Sequence, residues 1–121
     1  MRSQFHPGVV APLAAMVPGL LLGMVLLTAA AARADDVTVR LGVREQGFDP
    51  AEIEVAAGSR VRLEITNHTA AAIEFESFEL NRERVIQPTQ TAAVYVSGLQ
   101  AGRYEFFDDF HQERKGALVV R

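Results

Sequence analysis

The chain has 121 residues, 49% of them hydrophobic, and a formal net charge of −3 at pH 7. This balance argues against a nucleic-acid partner, because proteins that bind nucleic acids carry a basic patch or stripe. The chain contains no cysteine, which excludes a disulfide framework.

The N-terminal segment has the layout of a secretory signal peptide. Arg2 precedes an apolar run over 19–27, and a small-residue tract ends at Ala34. The run is shorter than the roughly 20 residues of a membrane span. We therefore predict a leader over 1–34 and a periplasmic domain over 35–121 with ten basic and fifteen acidic residues, a net charge of −5. The alternative is an uncleaved leader that anchors the domain to the membrane.

Alternation of apolar and polar residues begins soon after the leader and predicts β-strands. The first alternating stretch covers 37–43, and the tetrapeptide Gly47-Phe48-Asp49-Pro50 interrupts it. A short stretch over 53–55 and a longer one over 60–66 follow, with a glycine-containing turn between them. Each of these strands is expected to bury one face and to leave the other in solvent.

The second half of the chain continues this pattern with one irregular segment. A turn at 67–69 leads to a strand over 73–75. The segment 77–90 is the least regular and is compatible with a helical turn around Glu79 that ends before Pro88. Since no stretch keeps helical spacing over three turns, we predict a single all-β domain, a β-sandwich. The remaining strands are predicted around 94–96, 104–106 and 118–120.

Several motifs occur in the order that one family uses. A Phe-x-Pro entry at Phe48 is followed by G-x-Y-x-F from Gly102, by His111, and by G-x-L-x-V from Gly116. Over nearly its whole mature length the chain resembles cupredoxin-like domains. This resemblance implies a Greek-key β-sandwich with a metal site at one end.

The middle segment points to a narrower group. IEFESFELNRERVIQP, residues 73–88, is similar to the corresponding part of small periplasmic cupredoxin-like proteins associated with bacterial ferrous iron uptake. The resemblance implies a domain that binds iron or copper through carboxylates. It also implies that the domain works beside an iron permease or another periplasmic uptake component.

The chain departs from the blue-copper pattern of that superfamily at the thiolate. Asp108 takes the cysteine position in the Cys-x-x-His spacing, His111 keeps the histidine position, and Lys115 lies close to the position of the axial methionine. All three methionines lie in the predicted leader, so the mature domain would contain no sulfur. Carboxylates and imidazole suit harder ions such as iron or Cu(II), whereas Cu(I) prefers sulfur ligands.

The candidate ligands are acidic residues and one histidine. Glu74 lies at, or one residue from, the position of the first histidine ligand, and strand register decides whether Glu74 or Ile73 points at the site. Alternation alone would place Glu74 and Glu76 on the solvated face of a strand. The predicted metal ligands are Asp108, His111, Glu74, Glu76, Asp109 and Glu79, with Glu83 in the same acidic group.

We predict a periplasmic metal-binding protein that is not an enzyme and that serves an iron or metal uptake system. The sequence lacks G-x-S-x-G, H-E-x-x-H and P-loop patterns, and it indicates no small-molecule substrate. Two alternatives remain open. One is a metal-free docking module of a membrane transport complex, and the other is a small copper electron-transfer protein.

Overall fold

The computed structural model describes residues 8–15 and 36–121. The chain divides into two units between Ala31 and Ala32. Residues 8–15 contain neither helix nor strand, and no helix in the described ranges is long and apolar enough to cross a membrane. Most of the predicted leader, together with its cleavage site, lies outside the described residues.

Residues 36–121 form an all-β domain of nine strands. The predicted fold class, a β-sandwich, is confirmed. Alternation in the sequence located most of these strands, because burial follows the same period of two. The strands are β1 (Asp36–Arg44), β2 (Gly47–Asp49), β3 (Glu52–Val55), β4 (Arg60–Asn67), β5 (Ile73–Ser77), β6 (Arg82–Ile86), β7 (Thr91–Ser97), β8 (Gly102–Asp108) and β9 (His111–Val120).

The strands form two sheets. One has four strands in the order β2-β1-β4-β7, and the other has five in the order β3-β9-β8-β5-β6. The pairs β1/β4 and β3/β9 are parallel, whereas the remaining neighbours are antiparallel. β6 is therefore an edge strand, and β5 lies between β6 and β8.

The core lies between the two sheets and is centred on three phenylalanine rings. Phe106 packs edge-on against Phe48 at a centroid distance of 4.9 Å and lies 5.2 Å from Phe75. Phe75 and Phe106 are fully buried. Leu63 and Ile73 also have no exposed surface, as the alternation of β4 and β5 predicts.

The irregular segment after β5 differs from the sequence-based expectation. Residues 78–81 form a turn that leads into β6, with no helix there. Ser77 Oγ accepts the Leu80 N–H at 3.2 Å, and Asn81 has a φ of 52°, which asparagine tolerates well. β6 was not predicted because four of its five residues are exposed, so the sequence carries no alternation there.

Candidate metal centre

Three glutamates gather on the outer face of the five-stranded sheet. Ile73 and Phe75 are buried, so Glu74 and Glu76 point to the opposite, outward side of β5. Glu83 on β6 lies directly across from Glu76 in the antiparallel register. Opposed residues of paired strands project on the same side. The hairpin therefore concentrates three carboxylates on one small surface.

These glutamates lie close enough together to share one metal ion. Glu74, Glu76 and Glu83 each offer a carboxylate oxygen, and the three oxygens lie within 4.8 Å of one another. Glu74 and Glu76 are partly buried, whereas Glu83 is exposed. Three oxygen ligands from one side leave room for water or further ligands on the other, an arrangement suited to hard divalent cations. We call this group the carboxylate cluster.

Hydrogen bonding, partial burial and neighbouring negative charges raise the pKa values of Glu74 and Glu76. A hydrogen bond with Glu83 raises the pKa of Glu74 to about 7, with further contributions from partial burial and from the charges of Glu83, Asp109 and Glu76. Partial burial is also the main cause that raises the pKa of Glu76, followed by the charges of Glu83 and Asp109. A bound cation would relieve this repulsion and displace the proton.

We expect Glu74 to make the domain less stable as pH rises from about 4.5 to about 7. In that window the folded chain keeps a proton that the unfolded chain has already released, so ionisation opposes folding. Glu74→Gln should remove this contribution and flatten the dependence. Urea denaturation at several pH values measures it. Glu54→Gln, at the opposite edge of the same sheet, should keep the wild-type slope, and an unchanged slope in Glu74→Gln would contradict the assignment.

Asp108 lies on the inner side of the same sheet. It pairs with Phe75 across β5 and β8 and has no exposed surface. Its Oδ1 accepts the backbone N–H of Glu74 at 3.0 Å and that of Phe110 at 3.1 Å. The Asp108 side chain thus fixes the β5 backbone at Glu74 from the inner face. The side chain of Glu74 projects to the outer face, where the carboxylate cluster lies.

A buried arginine neutralises Asp108. Arg114 Nη1 donates to Asp108 Oδ2 at 3.0 Å, and its side chain is 4% exposed. Arg114 Nη2 also donates to Glu45 Oε2 at 2.8 Å, and its Nε donates to the Glu45 carbonyl oxygen at 3.3 Å. Asp108 therefore already has a cation as its partner, in addition to two backbone donors.

The other predicted ligands lie around these two groups. His111 Nδ1 is 3.7 Å from Asp108 Oδ2, and the His111 side chain is 44% exposed. Asp109 is exposed and donates its backbone N–H to the Glu74 carbonyl oxygen at 2.8 Å. Glu79 Oε2 accepts the Glu105 N–H at 3.4 Å. Glu79 is not a member of the carboxylate cluster.

The structure thus separates the predicted ligands into two groups. The half-exposed His111 lies beside the buried Asp108, whereas Glu74 and Glu76 meet Glu83 on the outer side of the sheet. Their service as metal ligands stays a prediction. The sequence reasoning missed Arg114, although an available signal was its position four residues before the buried Leu118, which places it on the inward face of β9.

The two-sheet sandwich is the fold of a cupredoxin-like domain. The chain belongs to the family described as the cupredoxin-like domain, whose model matches residues 18–120. It is 32% identical over 82 residues to an uncharacterized protein of Rickettsia prowazekii (strain Madrid E), covering 68% of this chain and 66% of that protein. The match thus spans slightly less than two thirds of that relative.

Two solved structures illustrate the shared fold. The metal-binding domain of the Cu(I)-exporting P-type ATPase CopA of Streptococcus pneumoniae D39 is similar with a TM-score of 0.66 and 19% identity, covering 75% of this chain and 91% of that chain. Auracyanin A, a blue copper protein of Chloroflexus aurantiacus, has a TM-score of 0.61 and 18% identity, covering 71% of this chain and 99% of that chain. At these identities the likeness establishes the fold.

Proposed function

We propose that this protein is an exported cupredoxin-like domain that binds a metal ion through the carboxylate cluster and serves a metal-uptake system. The single observation that carries the proposal is the convergence of Glu74, Glu76 and Glu83 within 4.8 Å on one sheet face. The similarity of this chain to copper-binding proteins of the same fold supports a role in metal binding. No catalytic step is assigned to it.

The ligand chemistry favours iron, Cu(II) or Mn(II) over Cu(I). Carboxylate oxygens are hard ligands, and the chain contains no cysteine that could supply a thiolate. The acidic segment 73–88 supports iron as the cargo and an iron permease as the partner, because it resembles proteins of ferrous iron uptake. The predicted leader over 1–34 supports a periplasmic location, with a membrane anchor as the alternative if the leader is not cleaved.

Asp108 and His111 have different roles in this proposal. The three hydrogen bonds of Asp108 favour a positioning role, because they fix the backbone of Glu74 and neutralise Arg114. His111 is exposed enough to take a metal or a partner's carboxylate. Asp109 is close enough to Glu74 and Glu76 to raise their pKa values, which makes it the nearest candidate for a fourth ligand.

Calorimetric titration of residues 35–121 with Cu(II), Mn(II) and, without oxygen, Fe(II) tests the proposal. We expect Glu76→Gln and Glu83→Gln each to weaken binding of the preferred ion by at least about 10-fold to 100-fold. Loss of a residue that only supports a metal ligand already costs this much affinity. Glu54→Gln, also an exposed strand glutamate, is the matched control. Binding should release a proton near pH 6.5, and Cu(II) should give no intense copper–thiolate absorption.

A metal-free docking module is the second candidate. The observation in its favour is Arg114, which gives the inner carboxylate a permanent protein cation. In this alternative the carboxylate cluster contacts a basic surface of a transport protein. The same titration separates the two functions, since absence of binding for all three ions, or equal affinity in Glu76→Gln, Glu83→Gln and wild type, would favour docking.

A further inference from the structure

A cleft at the start of the four-stranded sheet is lined by positively charged side chains. It has a volume of about 530 Å³ and lies where β1 and β4 begin and where β7 ends. Arg82, from the beginning of β6, also lines it. The side chains that matter for its chemistry are Asp36, Thr38, Arg60, Arg62, Arg82 and Tyr95.

Strand register explains why these groups meet. Asp36 is paired with Arg60, and Thr38 is paired with Arg62, in the parallel β1/β4 ladder. Arg62 in turn lies opposite Tyr95 in the antiparallel β4/β7 ladder. All five of these residues are exposed, so they lie on the outward side of the sheet.

Arg62 and Tyr95 form one preorganised wall of the cleft. Arg62 Nη1 donates to the Tyr95 hydroxyl oxygen at 2.8 Å, and the guanidinium carbon lies 5.5 Å from the centroid of the Tyr95 ring. The Arg62 Nε is 3.2 Å from Glu64 Oε1. A planar guanidinium held by a phenol and a carboxylate loses little freedom when it donates to a ligand.

Arg82 is held by main-chain oxygens. Its Nε donates to the Tyr95 carbonyl at 2.9 Å, and its Nη1 donates to those of Asn81 at 2.9 Å and Leu80 at 3.3 Å. Among residues 36–121, no carboxylate lies within ion-pair distance of Arg82. Its full positive charge therefore remains at the cleft.

The cleft keeps a positive charge in a domain that is acidic as a whole. Arg60 pairs with Asp36 at 2.7 Å, but both side chains are more than half exposed. Such an exposed pair contributes little to stability and yields readily to a competing anion. Glu64 is shared between Arg62 and Arg40. Three guanidinium groups thus face one lining carboxylate, that of Asp36.

We propose that this cleft binds a small anion that carries at least two carboxylate or phosphate groups. Guanidinium groups bind both kinds of oxyanion through paired hydrogen bonds. Arg60 and Arg82, on different strands, can each take one anionic group. The Thr38 hydroxyl can donate to the same ligand, and the Tyr95 ring, in a residue that is 59% exposed, can pack against its uncharged part.

Tyrosine fluorescence provides a direct reporter, because the chain has two tyrosines and no tryptophan. Tyr104→Phe leaves Tyr95 as the single tyrosine and removes one exposed hydrogen bond to Gln100. Metal-free residues 35–121 with this substitution are titrated with citrate, with pyrophosphate and, at equal ionic strength, with acetate. We expect citrate or pyrophosphate to bind with a Kd below about 1 mM and acetate to bind far more weakly.

Charge variants in the same background locate the anion. Arg60→Gln and Arg82→Gln should each weaken binding about 10-fold, whereas Asp36→Asn should strengthen it by removing a competing carboxylate. Arg103→Gln, an exposed arginine paired with Glu52 on the other sheet, is the matched control. Thermal melts verify that every variant is folded.

The anion titration uses metal-free protein and substitutions in the cleft, so its result is independent of the metal titration. Binding of citrate alone would identify a carboxylate ligand, and binding of pyrophosphate alone would identify a phosphate ligand. Either result supports the proposal if binding is weakened in Arg82→Gln and strengthened in Asp36→Asn. Equal binding of all three anions, or affinity unchanged in Asp36→Asn and Arg82→Gln, would overturn it.

Discussion

Replacing Asp108 with asparagine is expected to lower the free energy of unfolding by about 3–5 kcal/mol. Asparagine keeps the size of the side chain and an oxygen that accepts the N–H groups of Glu74 and Phe110. It removes the negative charge that faces Arg114, whose side chain is 4% exposed. Within residues 36–121, Arg114 would keep Glu45, whose side chain is 70% exposed, as its only carboxylate partner. The loss is costly because neither water nor another full charge replaces the buried carboxylate that Nη1 contacts. Urea denaturation followed by far-UV circular dichroism measures the loss.

Asp109→Asn is the matched control for this effect. Asp109 is adjacent in sequence but exposed, and its Oδ1 accepts the side-chain amide of Gln112 at 3.0 Å. Its substitution should change stability by no more than about 0.5 kcal/mol. Arg114→Gln alone should be strongly destabilising, and the double variant should lose less than the sum of the two single losses, because Asp108 and Arg114 act as a pair. An additive result would contradict the buried ion pair.

Asp108 and Arg114 balance each other's charge inside the domain. Because Arg114 supplies the cation that the inner carboxylate needs, the interior is electrostatically complete without a metal ion. The carboxylate cluster, in contrast, lies on the outer surface and repels itself when it is empty. Metal would therefore stabilise the domain through mass action at the cluster. An ion bound at the proposed surface site would be accessible to a partner that receives it.

Much of the fold could be predicted from the sequence because burial and alternation have the same period. Val61, Leu63 and Ile65 alternate with charged or polar residues and are all buried in β4. Exposed β6 could not be found this way, since an edge strand with little burial needs no apolar face. The antiparallel pairing with β5 defines this strand in the structure.

The composition of the site could be predicted in part, and alternation placed Glu74 and Glu76 on the outer face of their strand, but the side of the sheet that Asp108 takes could not be predicted. The sequence identified the acidic residues that gather near one end of the domain, including Glu74, Glu76 and Asp108. Which side of the sheet each carboxylate takes depends on a register that a shift of one residue would reverse. β8 and β9 show such a shift between Phe107 and Asp108. For this reason the structure, rather than the residue spacing, separates Asp108 from the carboxylate cluster.

Phe106→Ala is expected to lower the free energy of unfolding by about 3–5 kcal/mol. The Phe106 ring has no exposed surface and packs against Phe48 and Phe75 at the centre of the sandwich. Gly116 leaves the space that the ring fills, since a Cβ there would come within 2.4 Å of a Phe106 ring atom. Alanine would leave a cavity between the sheets that two strands cannot close without breaking their ladders.

Phe110→Ala is the control for the loss of an aromatic ring. Phe110 is 50% exposed and lies in the β8–β9 turn, so its removal takes away little buried surface. The loss should be no more than about 1 kcal/mol, the centre of the distribution for point substitutions. Comparable losses in the two variants would mean that stability does not reside in the ring cluster between the sheets. If Phe106→Ala alone unfolds the domain at low urea, the ring cluster holds the two sheets together. The domain has no disulfide that could replace this packing.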